Sequence, residues 1–215
     1  KLEKRYSKEE IINLLVSNGF ENLKFKDEEP FWTVVATLNK NKFKKNLYKN
    51  VLIICPFPEG VMASQRLKYE QHLNFLRSKN YQFKIEPFID ITTWKILYKK
   101  GFFIQKIIAT IKGYINRYKL IKKLYMFDII YIHMWVTPYG TSFIEKKYRK
   151  KAKNIVYDIE DNVFSIQKNE INPLTYYFKF NSKINYLIYN SDQIITSAPD
   201  LNKYCKQITK KDNCD

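Results

Sequence analysis

The chain has 215 residues, 45% hydrophobic and 16% aromatic, which is long enough for a substantial core and too apolar for a disordered protein. Its formal net charge is +17, carried mostly by lysine. Part of that surplus is what a compositional bias toward Lys, Asn and Ile produces, yet it favours anionic partners such as phosphates, nucleotides, nucleic acid or acidic lipid headgroups.

Cys55, Cys205 and Cys214 have no metal-binding spacing and predict a reduced, cytoplasmic protein. No apolar run reaches the roughly 18–20 residues that a bilayer span needs, and no signal peptide is visible. The chain opens at Lys1 and stops at Asp215 among polar residues, which predicts a piece of a longer protein.

In chain order, Ser7-Lys8-Glu9-Glu10 is a capping box that starts a helix, closed by Gly19. Two strand-like runs follow, Asn22–Lys26 and Phe31–Leu38, split by Asp27-Glu28-Glu29-Pro30. This helix–strand–strand unit, residues 1–38, is too small to build its own core. Residues 39–50 are rich in Lys and Asn and read as a linker.

From Val51 to Asp215 the pattern becomes alternating strands and helices. Val51–Cys55, Tyr81–Glu86, Asp128–His133, Asn154–Asp158 and Gln193–Ser197 read as strands. Ser64–Lys79 reads as one amphipathic helix with Leu67, Leu73 and Leu76 inward. Gly140–Lys151, Leu174–Asn190 and Pro199–Gln207 read as further helices, with Leu174, Phe178, Leu187 and Ile188 in the core. Repeated βα units predict an α/β fold, a Rossmann-like parallel sheet with helices on both faces, plus the small N-terminal appendage.

The stretch Trp94–Met126 is helical in pattern, rich in Lys and free of acidic residues. Phe103, Ile107, Ile111, Tyr114, Ile115 and Tyr118 recur at helical spacing. Two compatible readings apply. One is a set of helices covering the sheet with a solvated basic face. The other is a basic, aromatic-rich surface resting on an anionic membrane, which would place the protein peripherally on the inner face.

Four segments of the βα block resemble the N-terminal domain of GT-B glycosyltransferases, and most closely glycosyltransferase family 4. They are the loop Pro56–Leu67 with its Gly60 and Ser64-Gln65-Arg66, the strand Asp128–His133, the segment Tyr157–Asn162, and the strand Ser191–Ser197. The resemblance implies a retaining transferase moving a sugar from a nucleotide-sugar donor to a glycan or lipid-linked acceptor. In it, residues 51–215 form the acceptor side of the cleft, and a C-terminal domain outside this chain holds the donor. It further implies that the isolated chain is inactive, with no cofactor or metal of its own. Ser7–Leu38 resembles the last helix and hairpin of a class I S-adenosylmethionine-dependent methyltransferase, without that fold's glycine-rich cofactor loop.

The candidate site residues gather at predicted strand ends, where open α/β sheets form their ligand crevice. Gly60, Ser64 and Arg66 are candidates for substrate binding, because a glycine turn before a helix start and a guanidinium both favour anions. The alternative is an ordinary βα turn with Arg66 solvated. His133 ends its strand and is either a ligand contact or a hydrogen-bonded structural residue; His72 reads as structural. Asp158 either joins the site or pairs with a lysine. Alignment to the resembling family places Glu160 where a carboxylate would meet the acceptor as the catalytic group, with Asp161 supporting it by ordering the loop. The contrary reading has all three acids balancing nearby lysines. Other classes considered are a basic nucleic-acid- or anion-binding domain, which lacks any recognition motif so that no specific nucleic acid is expected, and a fragment of a methyltransferase fusion.

Overall fold

The computed structural model describes residues 6–26, 33–39, 48–160, 181–209 and 213–214. Backbone contacts divide the chain into two units, Lys1–Tyr48 and Lys49–Asp215.

In the first unit, helix α1 (Lys8–Ser17) begins as the capping box requires. Ser7 Oγ accepts from the Glu10 amide at 3.2 Å, and the Ser7 amide donates to Glu10 Oε2 at 2.8 Å. Strands β1 (Phe20–Lys26) and β2 (Thr33–Leu38) pair antiparallel, with a bulge between Glu21 and Lys24. Helix α1 buries no residue.

The second unit is a five-stranded parallel sheet flanked by helices, a Rossmann-like α/β architecture. Its strands are β3 (Lys49–Cys55), β4 (Tyr81–Pro87), β5 (Ile129–His133), β6 (Ile155–Ile159) and β7 (Gln193–Thr196), in the order β4-β3-β5-β6-β7. The runs of β-branched residues suit strands buried on both faces. On one face Leu52, Ile54, Ile130, Ile132, Ile155, Tyr157 and Ile194 pack in a single core with helical residues such as Leu120, Tyr148, Leu187, Ile188, Leu201 and Cys205. On the other face Val51, Ile53 and Cys55 pack with Tyr69 and Leu73. The chain steps outward from β3 to β4 and then returns past β3 to β5, so a topological switch point lies between β3 and β5.

The helices are α2 (Ala63–Lys68), α3 (Leu73–Ser78), α4 (Ile91–Leu97), α5 (Phe103–Leu120), α6 (Phe143–Lys151), α7 (Asn181–Asn190) and α8 (Pro199–Thr209). The single helix expected over Ser64–Lys79 is broken. Tyr69 leaves the helical region at φ −135°, and a short 3-10 turn, Glu70–His72, separates α2 from α3. Leu67, expected inward, is 67% exposed while Leu73 is buried; six residues apart, the two point about 120° from one another around a helix. Leu174 and Phe178 lie outside the described residues; Leu187 and Ile188 are buried in the core.

Helix α5 also departs from expectation. The residues it buries are Gly113, Arg117 and Leu120. A Cβ on Gly113 would lie 2.7 Å from the Phe88 ring, so glycine is what permits this close approach. Arg117 donates at 2.9 Å to the carbonyls of Cys55, Glu86 and Val136, pinning α5 to the carboxyl-terminal edge of the sheet. The isoleucines that recur at helical spacing face outward instead.

Candidate functional site

Parallel pairing of β5 with β6 sets His133 directly beside Asp158. Alternation along β5 puts Tyr131 on the same face as His133. Both side chains at the strand ends, His133 and Asp158, are fully buried. A buried carboxylate needs partners for both oxygens, and Asp158 has them. Oδ2 accepts from the Tyr131 hydroxyl at 2.7 Å and faces His133 Nδ1 at 2.7 Å; Oδ1 accepts from Lys68 Nζ at 3.0 Å. Burial alone would raise the Asp158 pKa, but these donors outweigh it and hold the carboxyl below its ordinary value.

An ionised Asp158 accepts only, so Nδ1 of His133 carries the proton of this hydrogen bond. That leaves Nε2 facing away from Asp158. It lies 3.5 Å from Ser64 Oγ and 3.7 Å from Glu160 Oε1. The Glu160 side chain is 19% exposed and Ser64 is half-buried, and the two stand between the imidazole and solvent. Tyr69 closes the inner side, with its ring edge-on to the imidazole at 5.7 Å.

The loops on either side are braced. After β3, the buried Gln65 side chain accepts from the Phe57 amide and donates to the Phe57 carbonyl, both at 3.0 Å. Gly60 takes φ +81°, which favours glycine, and its amide donates to Glu70 Oε2 at 3.0 Å. After β5, Met134 adopts φ +63°, an uncommon value for a non-glycine residue, immediately beside His133. The backbone farther along that loop is held by Lys183, whose Nζ donates to the Thr137 and Tyr139 carbonyls and pairs with the buried Glu145 at 3.5 Å. Burial lowers the Lys183 pKa, and Glu145 opposes that shift.

Of the residues singled out from sequence, the structure brings Ser64, His133, Asp158 and Glu160 together. It does not bring Gly60 and Arg66 to them as an anion cradle. The Gly60 amide is already committed to a carboxylate, and Arg66 is exposed on α2. Asp161 lies outside the described residues. Asp158, not Glu160, is the hub of the network. Lys68, Tyr131 and Lys183 were not anticipated; only Tyr131 carried a signal, two residues before His133 on one strand. A cavity of about 180 Å³ lies beyond β4, lined in part by Glu86, Phe88, Asp90 and Lys112, and is separate from this cluster. Among the described residues no group of acids, histidines and cysteines is arranged to hold a metal.

No protein-family model matches the chain, and no curated protein matches it. Among solved structures it is similar to a Klebsiella pneumoniae protein provisionally named a quinone reductase. Identity is 10%, coverage is 75% of this chain and 83% of that one, and the TM-score is 0.32. A likeness that distant assigns no activity here. The expectation of glycosyl transfer is corrected: no family model and no curated protein supports sugar transfer, nucleic-acid binding or a methyltransferase fragment. The segments behind that expectation are the strands and strand ends of a parallel sheet, features that Rossmann-like domains of many activities share. The chain is a Rossmann-like α/β domain with a buried histidine–aspartate couple at its strand edge.

Proposed function

We propose that the carboxyl-terminal edge of β5 and β6 is an acid–base site, in which His133 exchanges a proton with a hydroxyl group of a bound polar small molecule. The observation that carries this reading is the 2.7 Å contact of His133 Nδ1 with a fully buried, donor-saturated Asp158, which leaves Nε2 facing Ser64 and Glu160. With Nδ1 as the donor, neutral His133 presents a lone pair at Nε2 and can take a proton from Ser64 or from a ligand hydroxyl. The imidazolium so formed is stabilised by Asp158 behind it and Glu160 in front. Returning the proton from Nε2 completes the cycle. Asp158 positions the ring and fixes its tautomer; Lys68 and Tyr131 position Asp158.

Nitrogen-edited NMR of the imidazole tests this. The expected result is a neutral ring protonated at Nδ1, reverting to the Nε2 tautomer in Asp158→Asn. A wild-type ring protonated at Nε2 when neutral overturns the assignment. A panel of polyols, hydroxy acids and nucleosides is then screened for shifts of the His133 resonances. Absence of any response across the panel counts against a ligand site.

We also infer where the chain works: in a reducing compartment, peripherally on the inner face of a membrane. The buried thiols of Cys55 and Cys205 support the first part. The acid-free stretch Trp94–Met126 supports the second, and among the described residues no helix is long and apolar enough to cross a bilayer. Cell fractionation checks this: recovery with membranes at low salt and release at high salt is expected, and recovery outside the membrane fraction at low salt refutes it.

A further inference from the structure

Helix α5 is amphipathic in the reverse sense to an ordinary surface helix. Its buried residues are a glycine, an arginine and a leucine, Gly113, Arg117 and Leu120. At 3.6 residues per turn, Ile104, Ile107, Ile108, Ile111, Ile115 and Tyr118 fall within an arc of roughly 100° on the opposite side. Each is exposed, Ile108 to 59% and Ile104 to 69%. Single exposed hydrophobics need no explanation, but a continuous row along an 18-residue helix marks a contact surface.

We propose that this outward face of α5 is the element that inserts into the membrane, with anionic lipid as its occupant. This rests on the peripheral membrane reading above and assigns it to one face. Charge decides between occupants. No acidic residue lies between Trp94 and Phe127, while Lys99, Lys100, Lys119, Lys122 and Lys123 are exposed around the row. A second copy of the chain would bring the same positive charge against it, whereas an acidic headgroup layer complements it. Shape agrees: the row is a convex ridge about 21 Å long at 1.5 Å per residue, suited to a fluid surface that closes around it. Such a helix lies in the interfacial plane with its apolar side among the upper acyl chains and its lysines at headgroup level. Because Arg117 ties α5 to the Cys55 and Val136 carbonyls, a docked α5 would hold the sheet's carboxyl-terminal edge in a fixed relation to the lipid.

The test is flotation of the chain with vesicles of equal parts phosphatidylcholine and phosphatidylglycerol, beside pure phosphatidylcholine vesicles. Wild type is expected to float with the anionic vesicles only. The triple variant Ile104→Ser, Ile108→Ser, Ile111→Ser, checked for unchanged circular dichroism, should partition at least about tenfold more weakly. Lys119→Ala with Lys122→Ala and Lys123→Ala should weaken binding and flatten its salt dependence. If wild type floats and the serine variant floats equally well, the face is wrong while the membrane reading stands. If wild type does not float, both fail. A concentration-dependent dimer in sedimentation velocity that the serine variant abolishes assigns the face to a second copy and overturns the lipid proposal.

Discussion

The strand edge at His133 and the outer face of α5 break the rule of apolar inside and polar outside in opposite directions. At the edge, a carboxylate and an imidazole are fully buried, and Lys68 is brought in to meet them. On α5, isoleucines stand in the open and an arginine is buried. The buried charge is fully partnered within the chain, so the protein alone accounts for it, and what is left over is one imidazole nitrogen that faces Ser64 and Glu160. The exposed row has no such account within the described residues. A satisfied polar cluster therefore points to chemistry, and an uncovered apolar row points to a surface outside the molecule.

Four measurements sharpen or break this contrast. The largest effect is expected from Asp158→Ala, which strands the Lys68, Tyr131 and His133 donors in a buried site. A loss of about 3–5 kcal/mol is expected in urea unfolding; a loss comparable to a surface substitution would mean that the cluster is hydrated and the edge open. Gly113→Ala comes next. Its methyl meets the Phe88 ring at 2.7 Å, so a destabilisation of about 1–3 kcal/mol is expected despite alanine's better helix propensity. A neutral or stabilised variant would show that the inner face of α5 is not seated on Phe88.

The third concerns pH. The Asp158 carboxyl is held below its ordinary value in the fold, so its stabilising contribution is complete above the unfolded carboxyl value of about 4 and is lost as pH falls through the folded value. Stability measured by urea midpoint should decline on that acid limb, and Asp158→Asn should decline less; parallel curves would remove Asp158 from the linkage. The smallest effect is expected for Ile108→Ser, within about 0.5 kcal/mol of wild type. A larger loss would place Ile108 in an internal contact and remove the contrast with the strand edge.

The strands were legible because each is an apolar, β-branched run bounded by polar residues, as in Val51–Cys55 and Asn154–Asp158. Residues at their ends were legible as site candidates because parallel sheets gather ligands there. What periodicity could not supply was orientation. It found the isoleucine row of α5 but not its direction, because the inward positions are held by Gly113 and Arg117, a residue with no side chain and one that ordinarily faces water. The sequence placed Asp158, Glu160 and His133 close together, and the resemblance ranked Glu160 first, whereas the structure makes Asp158 the hub. The rank depends on the β5–β6 register, which sets His133 against Asp158, and on Lys68, 90 residues away in the chain. The break at Tyr69 was hidden because no glycine or proline between Ser64 and Lys79 marks it.

The bond between Lys68 and Asp158 bears on folding as well as on chemistry. The donors that neutralise Asp158 come from α2 and β5, so its charge is uncompensated until β6 has docked in the correct alignment. A slip of β6 by one residue would turn Asp158 toward the opposite face, among Ile130, Ile132 and Leu187. A hydrophobic residue at this position would tolerate that misalignment; a carboxylate does not. The buried acid thus favours the native β5–β6 register, since a one-residue slip would leave its charge without the Lys68 and Tyr131 donors.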